Sequence, residues 1–126
     1  MDENRLARIR DNMGRRGLAQ ALIVDPLSIW WLCGYYTEPY ERFLALLVPA
    51  EGEPVLFANR LFPDASGCGA RVVSFSDTDD PVPLVAAETR SDRTLGVDKE
   101  LAARWLVPLM ESRAAAGFVL ASDVVD

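Results

Sequence analysis

The stretch PLSIWWLCGYYTEPYERFLALLVP, Pro26 to Pro49, changes character twice, and those changes decide the fold. Asp25-Pro26 supplies an N-cap and a first-turn proline, opening a short helix that runs through Trp31 or Cys33. Tyr35, Tyr36 and Tyr40 then fall in a loop, and Arg42 to Val48 (RFLALLV) reads as a strand. Working outward, Ala19 to Val24 (AQALIV) is a short strand just before the helix. Before it, Asp2 to Arg16 places Leu6, Ile9 and Met13 on one helical stripe, with Gly17 as the stop. On the other side, the turn residues Ala50 to Glu53 and the strand Pro54 to Ala58 complete a hairpin.

The same alternation continues to the end of the chain. Asn59 to Ser66 is read as a helical turn or short helix, and Ala70 to Phe75 as a fourth strand. Asp80-Pro81 opens a helix reaching about Thr89. Thr94 to Val97 is a fifth strand, after which Asp98 is expected to cap a long helix with Leu101, Trp105, Leu109 and Met110 on its buried stripe and a kink at Pro108. Gly117 to Leu120 is a sixth strand, followed by no closing helix. Strands alternating with helices around one hairpin predict an α/β fold: a mixed five- to six-stranded sheet with flanking helices, in a single domain spanning residues 1–126.

Composition narrows the function classes. Half of the residues are hydrophobic and a quarter charged, the balance of a globular chain, and the longest apolar run, Phe43 to Ala50, is too short to span a bilayer. A net charge of −6 repels phosphate backbones and anionic membranes, so neither nucleic acid nor a membrane is an expected partner. Arg5, Arg8, Arg10, Arg15 and Arg16 interleave with the apolar stripe of the first helix and are read as its solvated face. No secretory signal is visible, and a cytoplasmic location is expected. Cys33 and Cys68 form neither a zinc motif nor a CxxC pair, and buried, reduced thiols are expected.

Because the chain has no histidine, Ser-His and Cys-His nucleophilic arrangements are excluded. Neither GxGxxG nor GxxxxGK[ST] occurs, so no phosphate-cradling loop is indicated. The acidic run Asp77, Asp79 and Asp80 lacks the glycine and distal glutamate of a calcium loop; Asp80 is better used as an N-cap, with Asp77 and Asp79 as turn and helix-dipole residues. No metal site is expected in this chain. More than half of the aromatic residues fall between Trp30 and Phe43, and adjacent Trp30 and Trp31 cannot both face inward on one helix. Rings of this kind beside Arg42 suit either a partly wet interface or core packing.

The order of these motifs resembles the amino-terminal domain of the creatinase, prolidase and aminopeptidase P family of metallopeptidases. Pro26 to Tyr35 is similar to the family segment P-x-N-I-x-Y-L-x-G-F/Y, although Ser28 replaces the frequent asparagine and Trp30-Trp31 a more usual tyrosine. Arg42 to Pro49 with Glu51 to Leu56 resembles the family hairpin, and Leu95-Gly96-Val97-Asp98 the later I-G-V/F-D/E strand. The resemblance implies a creatinase-type domain with a ribonuclease H-like layer, preceding a pita-bread catalytic domain that is absent here. That catalytic domain would hold two divalent metal ions (Mn, Co or Zn) and hydrolyse Xaa-Pro peptides, while this segment alone would be inactive. Its implied partners are its own carboxyl-terminal catalytic domain and a second copy in a homodimer. Tyr40 and Arg42 match positions that contact substrate in creatinase-like members, and Arg42 could fork onto a substrate carboxylate. Alternatively, Arg42 begins a strand and pairs with Glu41 or Glu38. Trp31, Tyr35 and Tyr36 are the expected interface residues. The competing function is a stand-alone peptide- or protein-binding α/β module.

Overall fold

The structure, a computed structural model, describes residues Met1–Asp126. Six strands form one sheet in the order β4-β3-β2-β1-β5-β6. They are β1 (Gln20–Ile23), β2 (Leu44–Pro49), β3 (Val55–Asn59), β4 (Arg71–Phe75), β5 (Thr94–Val97) and β6 (Gly117–Leu120). β2 is antiparallel to both its neighbours, and the β3/β4, β1/β5 and β5/β6 pairs are parallel. The expected hairpin is present, with Leu44 opposite Ala58 and Leu46 opposite Leu56. One rim therefore collects the carboxyl ends of β1, β3, β4, β5 and β6 together with the amino end of β2.

The period-two alternation of the central strands divides the core between the two faces. Ala21, Ile23, Leu44, Leu46, Val48 and Leu56 point to one face, where α1 (Glu3–Arg15) and α2 (Pro26–Cys33) contribute Leu6, Ile9, Met13, Ile29 and Leu32. Leu22, Ala45, Leu47, Val55 and Phe57 point to the other, covered by Val82 and Val85 of α3 (Pro81–Ala86) and Leu109 of α4 (Ala103–Glu111). No helix is long and apolar enough to cross a membrane.

The caps read from sequence at Asp25 and Asp80 are made, and Asp2, read as the first residue of α1, is its cap as well. Asp2, Asp25 and Asp80 accept from the backbone N–H of Arg5, Ser28 and Val82, respectively. Gly34, at φ 75°, ends α2 in the left-handed conformation that a side chain would resist.

The structure corrects several expectations. Asp98 does not cap α4, which starts at Ala103 with no side-chain cap and is only nine residues long. Met110 lies on the exposed side of α4, whose buried position is Leu109. Asn59 ends β3 and residues 60–66 form turns and irregular backbone rather than a helix, because Asn59 and Asp64 side chains accept from the N–H groups of Leu61 and Ser66 and so offer the backbone a non-helical arrangement. A closing 3-10 helix (Ser122–Val125) does follow β6 and packs on α1, where Asn12 Nδ2 donates to the Val124 carbonyl at 2.9 Å and Arg16 pairs with Asp123 at 2.5 Å. The arginines of α1 are more than a solvated face. Arg10 reaches across to the Pro49 carbonyl at 3.0 Å, and Arg5 donates to the Trp31 carbonyl at 2.5 Å.

Candidate functional site

At the shared rim, the buried Asp98 ties two parallel strands together where they end. Its Oδ2 accepts from Val24 N–H at 3.2 Å and Asp25 N–H at 3.0 Å, and its Oδ1 accepts from Glu100 N–H at 3.1 Å. These bonds fix the β1–α2 turn against the segment that leads from β5 to α4. Beside this junction opens a cleft of about 200 Å³, bounded by both turns and by residues 39–44 at the start of β2. Phe43, Leu101 and Trp105 give it an apolar wall, and Tyr40, Arg42 and Arg104 lie along its edge.

Phe43 anchors this edge. It is buried, and its ring packs edge-on to Trp105 at 5.3 Å between centroids and to Phe57 at 6.4 Å. Immediately before it, the chain makes a tight turn in which Arg42 N–H donates to the Pro39 carbonyl at 2.9 Å. Tyr40 occupies that turn at φ 53° with 81% of its surface exposed. A bulky residue in the left-handed region costs on the order of 1 kcal/mol or more, so the surroundings must hold it there. Arg113, the other non-glycine residue with positive φ, has a simpler setting just past the end of α4.

Arg42 pairs with Asp77, which reasoning from sequence assigned only to a turn. Its Nε and Nη2 donate to Asp77 Oδ1 and Oδ2, both at 3.0 Å, in a two-pronged contact. Neither Glu41 nor Glu38 is its partner. Asp77 also accepts from Asn59 Nδ2 at 2.7 Å, and Asn59, itself buried, uses its Oδ1 to accept from Leu61 N–H. Hydrogen bonding to Arg42, then to Asn59, holds the Asp77 carboxyl below the usual carboxylate range; the same contact raises the Arg42 guanidinium. Two of the five guanidinium N–H groups are thus committed, and the Nη1/Nη2 edge stays open to another acceptor. Asp79 accepts from the Ser76 N–H and hydroxyl and Asp80 caps α3, so all three acids of this run have structural partners.

The remaining sequence candidates separate by depth. Tyr35 is buried, and its hydroxyl donates to the Pro63 carbonyl at 2.7 Å, making it a core residue in this chain. Trp31 is half-buried, with the Arg5 guanidinium 5.0 Å from the centre of its ring. Tyr36 is exposed, and its hydroxyl donates to Glu38, a bond that raises the Tyr36 pKa. Leu27 and Trp30, one turn apart on the outer side of α2, join Tyr36 and Tyr40 among the exposed large apolar side chains. Sequence reasoning missed Asn59 and Arg104. The Arg104 guanidinium lies 5.1 Å from the centre of the Trp105 ring and donates to the Glu41 carbonyl, linking α4 to the Tyr40 turn.

The family model for the creatinase/prolidase N-terminal domain matches residues 5–126. The chain belongs to this family. Among solved structures, a proline dipeptidase from Streptococcus pneumoniae is 26% identical with a TM-score of 0.82, covering 94% of this chain and 91% of that one. Dipeptidase PepE from Mycobacterium ulcerans is 30% identical with a TM-score of 0.79, and the match covers 98% of this chain but 35% of the dipeptidase. An uncharacterized peptidase of Staphylococcus aureus is 31% identical over 83 residues, 64% of this chain and 24% of the peptidase. The chain thus spans about a quarter of the length of the curated relatives it matches. The creatinase-type domain seen here offers no donor set for a catalytic metal centre: it has no histidine, and no three Cys, Asp or Glu side chains converge to hold an ion. Its residues do not fit such a centre.

Proposed function

We propose that this creatinase-type domain is the non-catalytic amino-terminal part of a Xaa-Pro dipeptidase-like metallopeptidase acting in the cytoplasm. Its rim contributes substrate contacts to a site completed by a carboxyl-terminal catalytic domain, where two divalent metal ions would activate water. The observation carrying this reading is Arg42: Asp77 fixes its fork, an N–H edge remains open, and Tyr40 is held beside it in a strained turn. A carboxylate of a short peptide fits the open edge, and the Phe43–Trp105 wall suits an apolar ring such as proline. Leu27, Trp30 and Tyr36 supply a surface on which a second copy could pack.

The test uses the parent enzyme loaded with Mn²⁺ and assayed on a Xaa-Pro dipeptide. Arg42→Ala should raise KM by about tenfold to a hundredfold, the loss of one charge-assisted contact, with a smaller change in kcat. Tyr40→Ala should act in the same direction more weakly. Unchanged kcat/KM in both variants would remove the substrate role. A monomer by sedimentation would remove the second copy, and turnover by the 126-residue chain alone would overturn the non-catalytic assignment.

A further inference from the structure

Cys33 and Cys68 stand far apart in sequence, yet the fold brings their segments together through two independent clamps. The first is the amino terminus. Asp2 N–H donates to the Leu32 carbonyl at 2.8 Å, and the Met1 ammonium donates to the Cys68 carbonyl at 2.9 Å. Successive Cα atoms lie about 3.8 Å apart, so this dipeptide holds the residue before Cys33 within a short reach of Cys68 itself. The second clamp is Tyr35, two residues after Cys33, whose hydroxyl bonds the Pro63 carbonyl in the loop that leads to Cys68. Both thiols are buried in the same core cluster. Burial raises the Cys33 thiol, and Cys68 is near enough to push it further in the same direction.

We propose that Cys33 and Cys68 are a redox pair, which peroxide converts to a disulfide stapling the end of α2 to the 65–68 turn. Cys68 reacts first, because local opening of the turn between the exposed Gly67 and Gly69 uncovers it, whereas Cys33 is the last residue of α2 and its Sγ donates to the Ile29 carbonyl at 3.2 Å. Its thiolate attacks one peroxide oxygen; the S–O bond forms, the O–O bond breaks, and water leaves after protonation. The Cys33 sulfur then attacks the sulfenic sulfur, forming S–S and expelling the oxygen as a second water. Two thiols are oxidised by two electrons in all, and one hydrogen peroxide is reduced to two waters. The staple would hold α2, and with it the exposed Trp30, in place against the loop that carries Leu61.

The reduced 126-residue chain is treated with hydrogen peroxide and followed by intact mass, thiol count after denaturation and thermal melting. Both thiols should disappear together in a monomer whose mass falls by two hydrogens. A peptide map should link Cys33 to Cys68, and Tm should rise by about 5 °C or more, reversibly with dithiothreitol, because the loop between them is closed in the unfolded chain. Cys33→Ala, and separately Cys68→Ser, should abolish the mass loss and the Tm gain. Thiols that persist through the treatment, sulfinic acids formed without cross-linking, or disulfide-bonded dimers would each overturn the proposal.

Discussion

Asp98 and Asp77 stand at the same rim of the sheet, but the first is buried and accepts from three backbone N–H groups, whereas the second is exposed and engages two side chains. A carboxylate bonded to backbone fixes where the chain goes. One bonded to a guanidinium fixes where a charge goes, and solvent screens much of that interaction. The cleft is lined on one side by Val24, Asp25 and Glu100, whose N–H groups Asp98 holds, and on the other by Arg42, so its shape and its charge rest on different supports.

The sharpest way to break this contrast is Asp98→Ala, which leaves three donors without their acceptor. It should destabilise the domain by about 3 kcal/mol, lowering Tm by about 10 °C, measured by urea and thermal unfolding. A loss no larger than that of an exposed substitution would mean that water replaces the carboxylate and that the junction is not what shapes the rim. Next comes Asn59→Ala, which removes the buried link between Asp77 and the Leu61 turn. It should cost about 1–2 kcal/mol and release Arg42 from one orientation, seen as broadened guanidinium NMR signals. The smallest effect belongs to Asp77→Asn, whose Tm shift should fall well below that of Asp98→Ala and shrink further in salt. Acid titration sharpens the same point. The folded Asp77 carboxyl is depressed, so the folded state binds fewer protons there; its contribution is present above the ordinary carboxylate pKa and is lost as pH falls below about 4. In Asp77→Asn this component of the acid destabilisation should vanish, and a profile identical to the unsubstituted chain would show that the pair contributes nothing to folding.

Much of the fold was legible because it is written locally. Asp25-Pro26, Asp80-Pro81 and Gly17 act on backbone groups within a few residues, and the alternation of β2 and β3 sorts side chains between the two faces without knowledge of the partner strand. The limits of β5 and β6 fell where their residues indicated. Long-range choices were not legible. Asp98 has the chemistry of an N-cap, but β1 ends beside it and its N–H groups compete successfully for the carboxylate. Arg42 had two nearby acids, yet strand direction turned it toward Asp77 beyond the hairpin. Tyr35 looked like its neighbours Tyr36 and Tyr40, and only the position of the Pro63 carbonyl separates it from them.

β2 alone runs against the rest of the sheet. Its reversal delivers residues 36–42, between the buried Tyr35 and Phe43, to the rim where the other strands finish, while the pairing of Leu44 with Ala58 begins only after that segment ends. The proposed contacts and the architecture are thereby written in separate lengths of chain. The loop can be shortened, lengthened or recomposed by descent, changing what the rim meets, without altering a single pairing in the sheet beneath it.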